Sequence, residues 1–277
     1  MIEIGVYSEL EILRDTSVGL FLGDQSGEDV LLPNKYCPED FEIGDMLNVF
    51  VYLDHENRKV ATTITPGVML DDYGYLKVSS VTQIGAFMDW GLEKELFVPF
   101  REQPKKFEED QFYMIRLLYD DQTNRLFGTN RIERFLSNEE LELEDNEKVE
   151  AVIYRKTDLG YMAIVNGEHI GLIFQNEIFR PIQLGDKVTA YVKQITEDNK
   201  IDLSLAPIGY ENFIDADTKI VLGQMVKNEG RLELNDKSNP EDIYEQLGMS
   251  KKAFKRAVGS LYKKRLIEID EKGIEFV

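Results

Sequence analysis

The stretch that decides the fold is Val81–Arg101, VTQIGAFMDWGLEKELFVPFR. It predicts two strands, Val81–Trp90 and Leu96–Phe100, joined by a short polar loop. Gly85 lies inside the first predicted strand, where a glycine marks a bend or a close approach of another backbone. Pro99 ends the second strand, because proline cannot donate a hydrogen bond to a central ladder. The stretch therefore predicts a β-hairpin in a mainly β protein.

The same pattern occurs twice more along the chain. Upstream it is centred on Gly19 and followed by Leu31–Pro33, and downstream it is centred on Gly160 and followed by Gly171–Phe174. Gly19 and Gly85 are 66 residues apart, and Gly85 and Gly160 are 75 residues apart. This period is the length of a small β-barrel, so the sequence predicts three barrels in series. In the third copy we predict strands at Lys148–Lys156, Tyr161–Val165, His169–Phe174, Val188–Ile195 and Ile201–Leu205.

Length and composition restrict the class of protein. The chain has 277 residues, of which 43% are apolar and 10% aromatic, as expected for a folded protein of two to four domains. No apolar run reaches the roughly 18–20 residues of a membrane span, and the N-terminus does not resemble a signal peptide. One cysteine and two histidines argue against an internal disulfide and a structural zinc site. We expect a cytoplasmic monomer without cofactor, metal or membrane partner.

The charge is distributed unevenly. The formal net charge is −20, and residues 1–212 contain 20 basic and 40 acidic residues. Residues 213–277 contain 12 of each, and residues 1–70 are the most acidic, with four basic and 13 acidic residues. A nucleic-acid binder needs clustered cations to neutralise phosphates. The densest cluster contains no acidic residue and consists of Lys251, Lys252, Lys255, Arg256, Lys263, Lys264 and Arg265.

The apolar spacing becomes helical near the C-terminus. Asp217–Lys227 is predicted to be a first helix. Ser238 is predicted to cap the N-terminus of a second helix, with Glu241 completing a capping box. Gly248 is expected to end that helix in the left-handed conformation.

A third helix and a hairpin complete the predicted C-terminal domain. Ser250 is predicted to cap a helix that runs from Lys251 to about Lys264. Ile267–Asp270 and Ile274–Val277 are predicted to pair across a tight turn. Two helices, a tight turn, a third helix and a hairpin follow the order of a winged helix.

These residues resemble a known family. GAFMDW and LFVPF, with their two related copies, resemble the S1 domain, a five-stranded OB-type barrel. The C-terminal segment DKSNPEDIYEQLGMSKKAFKRAVGSLYKKRLI, following three such barrels, is similar to the conserved virulence factor B family of bacterial RNA-binding proteins. The resemblance implies four domains: S1-like barrels at 1–66, 67–145 and 146–212, and a winged helix at 213–277. Residues 130–145 are predicted to form a short helix and an acidic connector assigned to the second barrel.

The resemblance also implies a binding surface for single-stranded RNA. In the S1 family, strand aromatics stack on bases beside basic side chains, and stacking is worth about 1–3 kcal/mol per base. Phe21 and Phe87 match the second aromatic position of the family, but the first position is occupied by Val18, Ile84 and Leu159. The position of the family's third-strand histidine is occupied by Pro33, Pro99 and Phe174. The candidate RNA-binding residues are Phe21, Lys77, Phe87, Trp90, Arg155, Lys156, Tyr161, His169, Phe174, Lys251, Lys252, Lys255, Arg256 and Lys263.

The sequence predicts a non-enzymatic RNA-binding protein, acting as a post-transcriptional regulator of gene expression. There is no phosphate-binding glycine loop, no HExxH motif and no nucleophile elbow. His55 and His169 are interpreted as surface or structural residues rather than general bases. Two alternatives stay open: a scaffold that docks on the ribosome or RNA polymerase, and a DNA-binding regulator that acts through the winged helix.

Overall fold

The structure is a computed structural model that describes residues 2–175, 178, 181–205, 216–228, 230–263, 266–270 and 272–276. The chain divides into two compact units, residues 1–135 and residues 136–277. No helix in the described ranges is long and apolar enough to cross a membrane.

The first unit begins with a closed five-stranded barrel. Its strands alternate apolar and polar residues, so that one face of each strand fills the barrel core. The strand order is β1-β2-β3-β5-β4, and the barrel closes through a parallel pair in which Leu31 of β3 is opposite Val60 of β5. The strands are β1 (Tyr7–Thr16), β2 (Gly19–Gly23), β3 (Asp29–Pro33), β4 (Met46–Leu53) and β5 (Lys59–Thr62).

The second set of strands follows the same order without the closing pair. The sheet order is β10-β9-β6-β7-β8, which is the order of the first barrel opened between its third and fifth strands. The two edges nevertheless approach each other, since a Cβ added at Gly128 would lie 2.8 Å from Cγ2 of Val98. The strands are β6 (Tyr73–Val81), β7 (Gly85–Asp89), β8 (Leu96–Pro99), β9 (Phe112–Asp120) and β10 (Arg125–Thr129).

The predicted strand Val81–Trp90 is wrong in one respect. Val81 ends β6, residues 82–84 form a turn, and Gly85 begins β7 rather than lying inside a strand. The run of β-forming residues is continuous, but the Thr82 hydroxyl donates a hydrogen bond to the carbonyl of Gly85 (2.9 Å) and stabilises the turn.

The second unit contains another closed barrel with the order β11-β12-β13-β15-β14. Two of its predicted strands, Lys148–Lys156 and His169–Phe174, have the predicted bounds, and the mainly β fold with five-stranded barrels is confirmed. The strands are β11 (Lys148–Lys156), β12 (Gly160–Val165), β13 (His169–Phe174), β14 (Lys187–Ile195) and β15 (Ile201–Ser204).

Two local features recur in all three sets of strands. The first strand always shifts register once, between Ile12 and Arg14, between Val78 and Ser80, and between Ile153 and Arg155. The second strand always begins with a glycine at which an added Cβ would overlap a carbonyl oxygen of the third strand. The three glycine–carbonyl pairs are Gly19 with Leu32, Gly85 with Val98, and Gly160 with Ile173.

The connector between the two units differs from the prediction. Ile132–Phe135 form a short 3-10 helix, and the chain that follows is not helical. Leu141 and Leu143 pack against the core of the third barrel. Asn138 donates to the carbonyl of Ile170 (2.8 Å) and accepts from its amide (2.8 Å). Residues 136–145 therefore pack with the third barrel, not with the second barrel as the sequence analysis assigned them.

The first two barrels share a core within the first unit. Phe50 and Tyr52 of β4 belong to the same buried cluster as the apolar residues of the second barrel. The Trp90 ring meets both edge to face, with centroid distances of 6.0 Å and 6.3 Å. Lys35 of the first barrel also pairs with Glu93 of the second.

The C-terminal domain has the predicted order of helices and strands. A third strand that was not predicted, β16, joins the hairpin to give a sheet of order β16-β18-β17. The elements are α1 (Ala216–Lys227), β16 (Arg231–Leu232), α2 (Pro240–Leu247), α3 (Lys251–Lys263), β17 (Ile267–Ile269) and β18 (Ile274–Phe276).

The predicted cap of α2 is displaced by one residue. Asn239, not Ser238, is the N-cap, and its side chain accepts from the amide of Glu241 (3.3 Å). Pro240 takes the first helical position, where its missing N–H costs nothing. The predicted caps at Gly248, with φ of 65°, and at Ser250, which accepts from Ala253 (3.2 Å), are confirmed.

The glycine–carbonyl approach yields a prediction for stability. At Gly19, φ is 145° and a Cβ would overlap the backbone, so we expect Gly19→Ala to destabilise the first barrel by about 3 kcal/mol. Gly27→Ala is the matched control, because Gly27 also has a positive φ (82°) but nothing lies within 4 Å of an added Cβ. We expect it to cost about 1 kcal/mol. Hydrogen exchange of the full chain measures both, and equal loss of protection would contradict the steric account.

Candidate nucleic-acid interface

Each barrel presents one row of side chains outward across its first three strands. In the first barrel the neighbours of Phe21, Leu20 and Leu22, are buried in the core, so the Phe21 ring points outward. The residue pairing between the first three strands places equivalent residues in such a row in every barrel. The three rows are Arg14–Phe21–Leu31, Ser80–Phe87–Phe97 and Arg155–Met162–Leu172.

The rings of the first two rows are half-buried and already have partners. The Arg14 guanidinium lies 4.0 Å from the centroid of Phe21 and also pairs with Asp29 (2.7 Å). Phe87 meets Phe97 with centroids 5.2 Å apart at an angle of 44°. Sequence reasoning identified Phe21 and Phe87 but missed Arg14 and Phe97, since only cross-strand register brings these residues together.

An apolar residue is exposed beside each row. Val18, Ile84 and Leu159 are 57%, 66% and 63% exposed at the turn before the second strand. They hold the first aromatic position of the S1 pattern. The recurring sequence Thr-x-aliphatic-Gly is the signal that could have identified them. An apolar residue is exposed at the equivalent position of all three barrels. This recurrence suits a surface that contacts a ligand.

The third barrel brings Lys156 and Tyr161 together but separates His169 from Phe174. Tyr161 lies on the same face of its strand as the buried Ala163 and packs against the core. Met162, between them, takes the outward position. His169 is opposite Val165 and Phe174 is opposite Gly160, so the two rings lie at opposite ends of β13.

The cations of the third barrel and the remaining histidine have different environments. Arg155 and Lys156 are exposed, and Lys156 Nζ lies 5.7 Å from the centroid of Tyr161. His169 Nδ1 lies 2.6 Å from the carbonyl oxygen of Ser137 in the connector. The exposed cations stay candidates, while Tyr161 and His169 lie away from the outward row.

Two candidates of the second barrel are also engaged in structural contacts. Trp90 is only 4% exposed, and its indole N–H donates to the carbonyl of Lys94 (2.6 Å). Its ring cannot stack on a base without opening the contact between the barrels, so we remove Trp90 from the candidate set. Lys77 of β6 forms an ion pair with Asp110 (2.7 Å) and lies away from the row of Phe87.

Helix α3 exposes a face of cations. Its apolar side, which includes Phe254 and Leu261, is buried. Lys251 donates to the carbonyl of Ser238 (2.7 Å), and Arg256 pairs with Asp217 (2.5 Å). The exposed lysines that form no ion pair with any residue the structure describes are Lys252, Lys255 and Lys263.

The helical positions of these lysines place them on one side. At 100° per residue they share a sector that also includes Gly259 and the exposed Tyr262. Lys264 and Arg265 lie outside the described residues. Within the described ranges, no group of His, Cys, Asp and Glu could hold a metal ion.

Models of two protein families match parts of this chain. Residues 219–276 match the model of the CvfB-like winged helix domain, and residues 4–64 match the S1 domain model. The S1 match lies on the first barrel, although the stretch that decided the fold lies in the second. The arrangement is that of a protein with S1-type barrels and a C-terminal winged helix.

Relatives extend the similarity over almost the whole chain. Conserved virulence factor B of Staphylococcus epidermidis is 30% identical, covering 96% of this chain and 92% of that protein. The uncharacterized protein YitL of Bacillus subtilis is 33% identical, covering 92% and 87%. A multidomain protein with nucleic acid binding domains from Streptococcus pneumoniae is 26% identical over 99% and 98%, with a TM-score of 0.42. The chain belongs to the conserved virulence factor B family, and the predicted resemblance is confirmed.

The burial of Trp90 yields a direct prediction. Trp90 is the only tryptophan, so the tryptophan emission of the intact protein reports this ring alone. Because it is buried between Phe50 and Tyr52, we expect blue-shifted emission that acrylamide quenches weakly in the native protein and strongly in denaturant. Red-shifted emission with strong quenching of the native protein would return Trp90 to the exposed candidates.

Proposed function

We propose that this chain is a non-enzymatic, cytoplasmic RNA-binding protein that regulates gene expression after transcription. The observation that carries the proposal is the exposed face of α3. Lys252, Lys255 and Lys263 share this face, and the helix contains no acidic residue. In a helix-turn-helix fold the equivalent helix meets the nucleic acid, so the free ammonium groups would contact phosphates.

The barrels supply the second component of the proposed surface. The outward rings of Phe21 and Phe87 and the exposed Val18, Ile84 and Leu159 offer apolar contacts for unpaired bases. Such contacts are available to single strands, whose bases are unstacked, rather than to a duplex. Membership of the S1 class supports RNA over double-stranded DNA as the partner.

The overall charge limits the strength of the proposed interaction. A protein of net charge −20 repels a polyanion, except where cations are concentrated. We therefore expect modest affinity, strong dependence on salt and little sequence preference beyond pyrimidine-rich strands.

Neutralising the free lysines tests the proposal. We expect the triple variant Lys252→Gln, Lys255→Gln, Lys263→Gln to weaken binding of single-stranded oligouridine by about tenfold or more. Each lost phosphate contact lowers the slope of log K against log salt by about 0.7. Fluorescence anisotropy of labelled RNA across a salt series measures both quantities.

The matched control carries the same change of charge elsewhere in the domain. Lys219, Lys237 and Lys272 are exposed and lie off α3, so their replacement by glutamine should leave affinity nearly unchanged. Equal affinity of the two triple variants would remove α3 from the proposal. Preference for duplex DNA in competition would favour a DNA-binding regulator, and a protein partner retained after nuclease treatment would favour a scaffold.

A further inference from the structure

A groove of about 750 Å³ lies between the first and second barrels, inside the first unit. This volume is within the range of about 300–1,000 Å³ that is typical of sites for small ligands. Two residues of the outward row of the second barrel line this groove. The Phe87 and Phe97 rings therefore face into a cleft and not into open solvent. Phe21 and Leu31, which belong to the corresponding row of the first barrel, do not line this groove.

The wall formed by the second barrel is apolar. Phe87 and Phe97 lie side by side, and Ile84 and Pro99 extend the same surface. Ile84 is 66% exposed, although it is aliphatic. An apolar wall with exposed edges can pack against the flat ring of a base.

The opposite wall comes from the first barrel. Tyr52, His55 and Asn57 line it from the end of β4 and the turn that follows. Lys94 of the second barrel fixes this turn, because its ammonium donates to the carbonyl of Asp54 (2.7 Å) and to Oδ1 of Asn57 (3.3 Å). Burial, with a contribution from the positive charge of Arg125, lowers the pKa of Lys94. The hydrogen bonds of the Lys94 ammonium are therefore a partly desolvated polar contact between the two barrels.

Two exposed arginines also line the groove. Arg101 is 72% exposed at the rim of the groove, where it pairs with the mostly buried Glu102 (3.7 Å). Arg125 is exposed and forms no ion pair within the described residues. Glu95 and Asp120 line the groove as well, but Asp120 accepts from Thr123 (2.8 Å) and from the amide of Gln122 (3.0 Å) within its own turn. Phosphate oxygens are suited to the two guanidinium groups.

We propose that this groove is a composite site for one or two unpaired nucleotides of an RNA strand. The bases lie against Phe87 and Phe97, the phosphates meet Arg101 and Arg125, and His55 of the first barrel covers the bases from the opposite side. The first barrel thus contributes to binding through its contact with the second, despite its own acidity. This inference rests on the proposed function and adds a site that is separate from α3.

Trp90 makes the site directly observable. The ring lines the groove next to Tyr52 and is the only tryptophan of the chain. The experiment titrates the full chain with a labelled oligouridine of about 12 nucleotides and follows RNA anisotropy and Trp90 emission in the same samples. We expect a saturable change in Trp90 emission with the same midpoint as the anisotropy curve.

Two pairs of variants separate the groove from the rest of the surface. His55→Ala removes the covering ring, and Glu56→Ala changes its neighbour, which is not part of the groove. Lys94→Met releases the turn, and Lys35→Met breaks another contact between the barrels, outside the groove. We expect the first member of each pair to weaken binding by about fivefold, the effect of one stacked base, and to reduce the Trp90 change. The second members should behave like the parent protein.

The outcomes distinguish this inference from the proposed function. An anisotropy change without any Trp90 change, with the affinity of His55→Ala equal to that of Glu56→Ala, would overturn the composite site and leave RNA binding intact. Absence of RNA binding in every sample would overturn both. If Lys94→Met fails to fold, the His55 and Glu56 pair still decides the question.

Discussion

The barrels depend on one backbone contact, in which the glycine that begins the second strand lies against a carbonyl of the third strand. Gly19, Gly85 and Gly160 all occupy this position, where any side chain would overlap the carbonyl oxygen. A threonine three residues earlier donates its hydroxyl to each of these glycines, at 2.7, 2.9 and 3.1 Å. The contact fixes the register of the first three strands. It therefore determines that Phe21 and Phe87 point outward and that Val18, Ile84 and Leu159 are exposed at the turn.

The barrels and the winged helix differ in where they expose positive charge. The first barrel engages Arg14, the arginine of its outward row, with Asp29, so this row offers no free cation. Exposed cations occur instead at Arg101, which pairs with Glu102, at Arg125 of the second barrel and on α3. Because exposed charges act over roughly 10 Å at moderate salt, these local groups decide where a polyanion can approach, whatever the net charge of the chain.

Much of the fold was predictable because its signals are local. Glycine and turn residues repeat at a barrel's length, so Lys148–Lys156 and His169–Phe174 were predicted with the observed bounds. The turn at 82–84 was missed because its residues favour strands, and only the Thr82 hydrogen bond interrupts them. The cap at Asn239 was displaced because two capping residues precede Pro240, and proline decides between them.

The site was less predictable because it depends on which barrel faces which. Trp90 follows the pattern of a stacking residue, yet the neighbouring barrel covers it through Phe50 and Tyr52. Tyr161 is one residue from the outward position, and in a strand one residue reverses the face. No local pattern indicates that Lys94 holds the His55 turn against the second barrel, since 39 residues separate His55 from Lys94.

Photocrosslinking tests the central claim most directly. The full chain is irradiated with an oligonucleotide that contains 4-thiouridine, and the attached peptides are identified by mass spectrometry. We expect attachment to peptides that contain α3 and to peptides that contain the row of Phe87 and Phe97. Attachment concentrated on the first barrel away from His55, with α3 and the Phe87 row unlabelled, would contradict it.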